Sequence, residues 1–369
     1  MNIPDVSEVK EKEGRVRAFF DKSGYEAMVI GRQDNFAWYT CGGNNRVVIT
    51  SEAGFTLLVI TKNQTYGIAQ VMDGPRVFDE ELQGLDIQPV FLKWYEQGRE
   101  EKAAEITRGL KTISDIPMEG ADYAPDEIYK LHYPMTEKEM EKCRWIGSKS
   151  EEIIRKVAGE IKPGMTEHEI EAMFLCEYGR LNMTAEVLLI GSDERIAKYR
   201  HPNPSGKRIE RFVMLHSAVK KWGLHANVSR MVYFGDAVPE EIGEKYEAVC
   251  RIEAAAICMC SPGTRFAEIL EVEKQIYKET GFEKEAENHF LGGITGYLLA
   301  NPALCKDPEA VVSVNQAYDW FITITGTKVE ELSLLTGKGV EVASSCGNWP
   351  VKEYSWKGKT VNLPQILQK

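Results

Sequence analysis

MTEKEMEKCRWIGSKSEEIIRKVAGEIKPGMTEHEIEA, residues 135–172, sets the organisation of the chain. Pro134 precedes it and disfavours helix in the residue before it, which marks a boundary. Thr136 followed by Glu139 is a capping-box signature. Met140, Cys143, Ile146, Ile153, Val157 and Ile161 then recur at helical spacing on roughly one face. The turn PGMTEHE stops that helix, Thr166 and Glu169 repeat the cap, and a second helix carries Ile170, Met173, Phe174 and Leu181.

Working downstream, the strands TAEVLLIG, FVMLHS and VSRMVYF follow this helix pair. A second pair is readable at 239–260 and 264–279, closed by Gly281, and is followed by DWFITIT, ELSLLT and VEVAS. These are two successive blocks of helices plus antiparallel hairpins, a repeat of architecture rather than of sequence. Upstream, residues 7–24 read as an amphipathic helix with Val16, Phe19 and Phe20 on its apolar side. EAMVIG (26–31), RVVIT (46–50), FTLLVI (55–60) and QPVFLK (88–93) read as strands, and GREEKAAEITRGL (98–110) as a helix. Strands alternating with helices predict a sandwiched α/β sheet. Two domains are expected, 1–132 and 133–369.

The chain has 369 residues, 43% hydrophobic and 27% charged, which is globular composition. Its net charge of −11 comes without any basic run, which argues against a nucleic-acid partner. No apolar run reaches the roughly 18 residues of a membrane helix, and the polar start MNIPDVSEVKEKEGRVR is not a secretory signal. Eight cysteines lie at 41, 143, 176, 250, 258, 260, 305 and 346 with no C-x-x-C pair. Cys258 and Cys260, the close pair, sit in an apolar helical stretch and read as core. The pattern fits a reducing cytoplasm, the expected location. The acidic clusters EKEGR, REEKAAE and SKSEE read as solvated helix faces. LGGITG lacks the strand–loop–helix context of a dinucleotide fingerprint. It reads as backbone approaching a ligand, with Gly292, Gly293 and Gly296 leaving room.

Five local patterns resemble the pita-bread family of creatinases, aminopeptidases P, prolidases and methionine aminopeptidases. They are the 135–172 segment, WGLHANVSRMVYFG (222–235), HFLGGITGY (289–297), TGTKVEELSLLTGKGVEV (325–342) and the N-terminal NFAWYTCGGNN (35–45). The resemblance implies an α/β creatinase-type N-terminal domain and an α+β pita-bread C-terminal domain. Peptidases of the family hold two metals with two Asp, one His and two Glu. Placed against that pattern, this chain has His216, Asn227, Gly293, Phe321 and Glu330. Four of the five ligands are missing, so a dinuclear metallopeptidase is not expected, and neither metal nor other cofactor is. A single metal on His216, Glu330 and His225 is an alternative, since His225 and Asn227 share one strand face.

The metal-free branch of the family, led by creatinase, hydrolyses a C–N bond with a histidine and carboxylates. His201 in YRHPNPSGK (199–207) resembles creatinase's catalytic histidine, and an imidazole with a pKa of about 6.5 suits acid–base work near neutrality. Glu330 and His289 match two further active-site positions. These three are the candidate catalytic residues. His216, His225, Asn227, Arg230, Gly293, Tyr297 and Phe321 are the candidate substrate-binding set. Ser229 replaces creatinase's other glutamate, which argues against creatine itself. The N-terminal loop resembles the segment that completes a neighbour's site in creatinase dimers. Trp38 would then be an apolar wall and Arg46 a carboxylate clamp, which implies a homodimer. The leading expectation is a metal-independent C–N hydrolase of a small carboxylate-bearing molecule. The alternatives are a non-catalytic descendant that binds a small molecule, peptide or protein, and an Xaa-Pro peptidase with an atypical single-metal site.

Overall fold

The computed structural model describes residues 5–301, 307–345 and 347–369. Cys305 and Cys346 lie outside the described residues. The chain divides into two units, Met1–Lys138 and Glu139–Lys369.

In the first unit, Asp5 starts the opening helix, Val6–Ser23, by accepting the backbone N–H of Ser7 and Glu8. Gly24 ends it at φ 76°, the left-handed cap that lacks a Cβ penalty. Val9, Val16 and Phe20 are its buried apolar side chains. Six strands form one mixed sheet, in the order Ile87–Leu92, Thr65–Gln70, Ala53–Thr61, Ala27–Arg32, Thr112–Ser114, Ala121–Tyr123. Val29, Leu57, Val59, Ile68 and Leu92 pack with Ala103 of the helix Arg99–Ile106 as its core.

Two expectations fail in this unit. RVVIT is not a strand: Val47, Val48 and Ile49 are 54%, 49% and 66% exposed in a bend and turn. β-Branched residues favour a strand only where a neighbouring strand and a core face receive them. Arg46 is half-buried in irregular chain just before that turn. Trp38, expected as a wall of a neighbour's site, is fully buried in the helix Gln33–Tyr39 and stacks on His132 at 4.7 Å. An enclosed indole belongs to the core of its own unit and presents no wall to a neighbour.

In the second unit, Thr166 and Glu169 close the expected capping box on the helix Glu167–Arg180. Strands Phe212–Lys221 and Leu224–Tyr233 are joined by Trp222 and Gly223, at φ 54° and 80°. Two positive φ values make the tight turn that follows the right-handed twist of a hairpin. This hairpin is the centre of a sheet flanked by Thr184–Ser192 and Leu367–Gln368. A second four-stranded sheet runs Gly293–Thr295, Gln316–Asp319, Ser333–Thr336, Gly339–Val342. DWFITIT does not form one strand. It is divided between Gln316–Asp319 and Ile322–Ile324, and the latter pairs with Thr327–Val329. The helix Glu240–Met259 buries Tyr246, Val249, Cys250, Ile252 and Ile257 along with Cys258, and Cys260 at its cap is buried too. Both cysteines of the close pair are core, as the sequence implies.

Candidate functional site

The central hairpin of the second unit sets the first part of the site. Its register places His216 opposite Ser229 and Ala218 opposite Asn227. Side chains alternate along a strand, so His216, Ser229, Asn227 and His225 belong to one face. A bridge between Ser229 and Glu330 brings the 325–342 segment onto that face. Ser229 Oγ donates to Glu330 Oε2 at 2.9 Å, and His216 Nδ1 lies 2.6 Å from the same oxygen. Lys328 Nζ lies 2.6 Å from Oε1. All four residues are buried. Burial raises Glu330, but His216 and Lys328 outweigh it and hold the carboxyl below the usual range. Burial, with the Lys328 charge, keeps His216 below its ordinary value despite the pull of Glu330. The network is therefore an ionised Glu330, Lys328 as its countercharge, and a neutral His216 that donates from Nδ1.

His201 and His289 form the second part. Their Nε2 atoms are 3.0 Å apart and the rings meet edge-on. His289 Nδ1 lies 2.5 Å from the Phe290 carbonyl, which can only accept. Nδ1 of His289 therefore carries its proton, its Nε2 is a lone pair, and His201 must donate from Nε2. That leaves Nδ1 of His201 as the outward base, on an exposed loop residue. Burial and the Lys328 charge lower both imidazoles, His289 to about 4. Phe321 closes one side, its ring edge-on to His289 at 6.3 Å and 5.8 Å from that of Phe290.

The remaining candidates lie elsewhere in the network. His225 faces the Gly296 carbonyl from Nδ1 at 2.7 Å and Glu186 from Nε2 at 2.9 Å. Both nitrogens meet acceptors, so His225 offers no lone pair to a substrate or an ion. Arg230 is fully buried and donates to Glu331, to the Ser229 carbonyl at 2.8 Å and to the Ser344 carbonyl at 3.3 Å. It is a brace inside the sheet layer rather than a substrate contact. Tyr297 is buried and donates to Glu139 Oε1 at 2.7 Å. Gly293 pairs with Asp319 across the second sheet.

Gly292 leaves no room for a ligand. A Cβ there would meet the Asp319 carbonyl at 2.3 Å and Trp320 Cα at 2.6 Å, and φ is +105°. Its bare Cα lets two backbones touch. Gly292→Ala is expected to destabilise the second unit by about 1–3 kcal/mol. An unchanged denaturation midpoint would contradict that packing.

Two site residues escape the sequence reading, Lys328 and Asp319. Lys328 is two positions before Glu330, so strand alternation places it on the same side. Asp319 is likewise two before Phe321. Its Oδ2 accepts the backbone N–H of Asn227 at 3.2 Å. Burial and the nearby Glu330 push its carboxyl well above the usual range. The Asn227 side chain faces that carboxyl as well and, by hydrogen bonding, works against the upward push. Asn227 Oδ1 is buried and has no hydrogen-bond partner.

The residues present do not fit a metal centre. Both oxygens of Glu330 are engaged by His216, Ser229 and Lys328, and His225 is turned to other partners. Among the described residues, no group of three or more His, Cys, Asp or Glu is arranged to hold a metal ion. Among them, too, no helix is long and apolar enough to cross a membrane.

Comparison with known proteins bears on the same scaffold. Residues 141–313 match the model of metallopeptidase family M24. No curated protein sequence matches the chain. Among solved structures, the prolidase from Pyrococcus horikoshii OT3 is similar with a TM-score of 0.75 at 21% identity, over 91% of this chain and 99% of its own. The Xaa-Pro dipeptidase from Bacillus anthracis matches at 0.74 and 16%, over 98% and 100%. The X-Pro aminopeptidase from Thermotoga maritima MSB8 matches at 0.69 and 18%, over 94% and 98%. The chain therefore has the pita-bread fold of these prolidases and aminopeptidases, with mixed α/β architecture, and its residues 141–313 are similar to metallopeptidase family M24.

Proposed function

We propose that this chain is a metal-independent hydrolase of a C–N bond in a small carboxylate-bearing substrate. The observation that carries the reading is the His201–His289 pair, Nε2 to Nε2 at 3.0 Å, with its outer Nδ1 open. As water attacks the substrate carbon, Nδ1 of His201 takes the water's proton, and His289 shares the charge through the Nε2 contact. The C–N bond then breaks and the proton passes to the leaving nitrogen. Glu330 is too strongly held to serve as a base. Its part is to keep His216 and Lys328 in place, and Lys328 faces developing negative charge. The same reading carries a cytoplasmic setting and a homodimer. The homodimer rests on the family resemblance, and sedimentation velocity tests it.

The test is incubation with Xaa-Pro dipeptides, ureido acids and guanidino acids in the presence of EDTA, followed by mass spectrometry. Consumption by wild type and not by His201→Ala is expected. Turnover that needs added metal, or that survives in His201→Ala, would overturn the reading. A compound retained but unchanged would favour a binding descendant.

The pair is neutral at pH 7, because both imidazoles sit below the ordinary 6.5. Protonation removes the base, so activity is expected to hold through neutrality and fall on the acid side, below pH 6.5. A pH–rate profile of kcat/KM checks this. An acid limb centred above 6.5 would contradict it.

A further inference from the structure

Each segment that carries a histidine of the pair also carries one half of an ion pair. His201 is exposed, and residues 199–205 around it belong to no helix or strand. No regular ladder of backbone bonds therefore fixes where its ring sits. Arg200, the residue before it, reaches Glu285 in the short helix Glu283–Glu287, four residues before His289. Arg200 Nη2 donates to Glu285 Oε2, and to Thr325 Oγ1 at 3.2 Å. Its Nη1 lies 3.4 Å from both the carbonyl and the hydroxyl oxygen of Thr323. Thr325 in turn donates to Glu285 Oε2, from its backbone N–H at 3.1 Å and from its hydroxyl at 3.0 Å. Burial raises the Glu285 carboxyl, but Thr325 and Arg200 outweigh it and hold the group below the usual range. One guanidinium and one carboxylate thus join the loop of His201, the segment of His289 and the 322–329 hairpin that carries Lys328.

We propose that Arg200 and Glu285 are positioning residues, whose ion pair sets the approach of His201 to His289. The proposal rests on the hydrolase reading for the use made of the two imidazoles, and adds what keeps them in register. A single hydrogen bond between neutral rings does little against the entropy of ordering an exposed loop. A charge-assisted fork, backed by two threonines, supplies the missing order. Without it His201 turns to solvent, although both rings are still present in the chain.

The experiment is an NMR titration of the full chain with 15N-labelled histidine, the His201 signal being assigned by its loss in His201→Gln. It needs no substrate. In wild type His201 should titrate below 6.5, because burial, Lys328, His216 and Arg200 together outweigh the pull of Glu330. Removing the Glu285 charge with the geometry intact lowers an imidazole further. Losing the clasp has the opposite sign, because a solvated ring regains its ordinary value. Glu285→Ala is therefore expected to raise the His201 pKa toward 6.5. Glu285→Gln keeps an acceptor for Arg200 and Thr325, and should leave it near or below wild type. Thr325→Val changes no charge and should also move it upward, which keeps the test open where Glu285→Ala fails to fold. A His201 pKa that stays or falls in Glu285→Ala, or in Thr325→Val where that variant alone folds, would overturn the proposal. So would an equal rise in Glu285→Gln. On a substrate that is turned over, Glu285→Ala should lose roughly ten- to a hundredfold in kcat with KM nearly unchanged, the cost of misplacing a reacting group by about 1 Å. A loss confined to KM would count against it equally. A shifted His201 with no substrate consumed sinks the hydrolase reading alone. Turnover through His201 with no shift sinks this proposal alone.

Discussion

The Arg230→Met chain is expected to be less stable than wild type by about 3–5 kcal/mol, the cost of removing one partner of a buried ion pair. Arg230 is fully buried against Glu331, which is 1% exposed. The guanidinium also serves two carbonyls, those of Ser229 and Ser344, and lies over the Trp349 ring at 5.6 Å. Methionine fills part of the volume but leaves Glu331 without a countercharge and both carbonyls short of a donor. Burial already raises the Glu331 carboxyl, so it will take up a proton in the variant, which limits the loss. Adding Glu331→Gln should therefore restore part of the stability. Urea denaturation followed by tryptophan fluorescence measures both. A single variant as stable as wild type, or a double variant worse than the single, would show that the pair is not the brace described here.

Removing either histidine of the site should cost roughly 10²–10⁴-fold in turnover, the usual worth of a positioned general acid–base. His201→Ala removes the outward nitrogen itself. His289→Ala leaves that nitrogen but frees His201 to rotate and withdraws the partner that shares its charge. The two losses should not add, because each imidazole works through the other. His289→Asn, which keeps a polar group near the Phe290 carbonyl, should recover little, since an amide cannot take the proton. Steady-state kinetics of the two single variants and the double variant decide this. A double loss equal to the product of the singles would mean that the histidines act separately.

Much of this was legible in the chain, and the exceptions have physical causes. The helix pair 137–180 and the hairpin 212–233 are long elements with strong periodicity and explicit caps, so local chemistry defines them. RVVIT has strand composition but finds no pairing partner, which no local pattern reveals. DWFITIT breaks in two at residues 320–321, where the Gly292 backbone lies close against residues 319–321, a contact made across the fold. At the site, His201 meets His289 and His216 meets Glu330. Their charges act on one another, and Lys328 acts on all of them. His225, Arg230 and Tyr297 were misjudged for a common reason. Sequence shows on which strand a polar residue lies, but not whether a distant carboxylate or carbonyl has already claimed it. Lys328 was missed although alternation from Glu330 pointed to it.

The ammonium of Lys328 also bars the site against a metal dication. Placing carboxylates at 216 and 227 would not make room for a dication at Glu330, because that ammonium is 2.6 Å from Oε1. At about 4 Å and an effective dielectric of about 20, a doubly charged ion would be repelled by roughly 8 kcal/mol. An imidazole at position 293 meets its own obstacle, since the backbone there runs at φ 149°, where L side chains are strained. An engineer building a metal centre here would have to replace the lysine and reshape the 293 backbone as well.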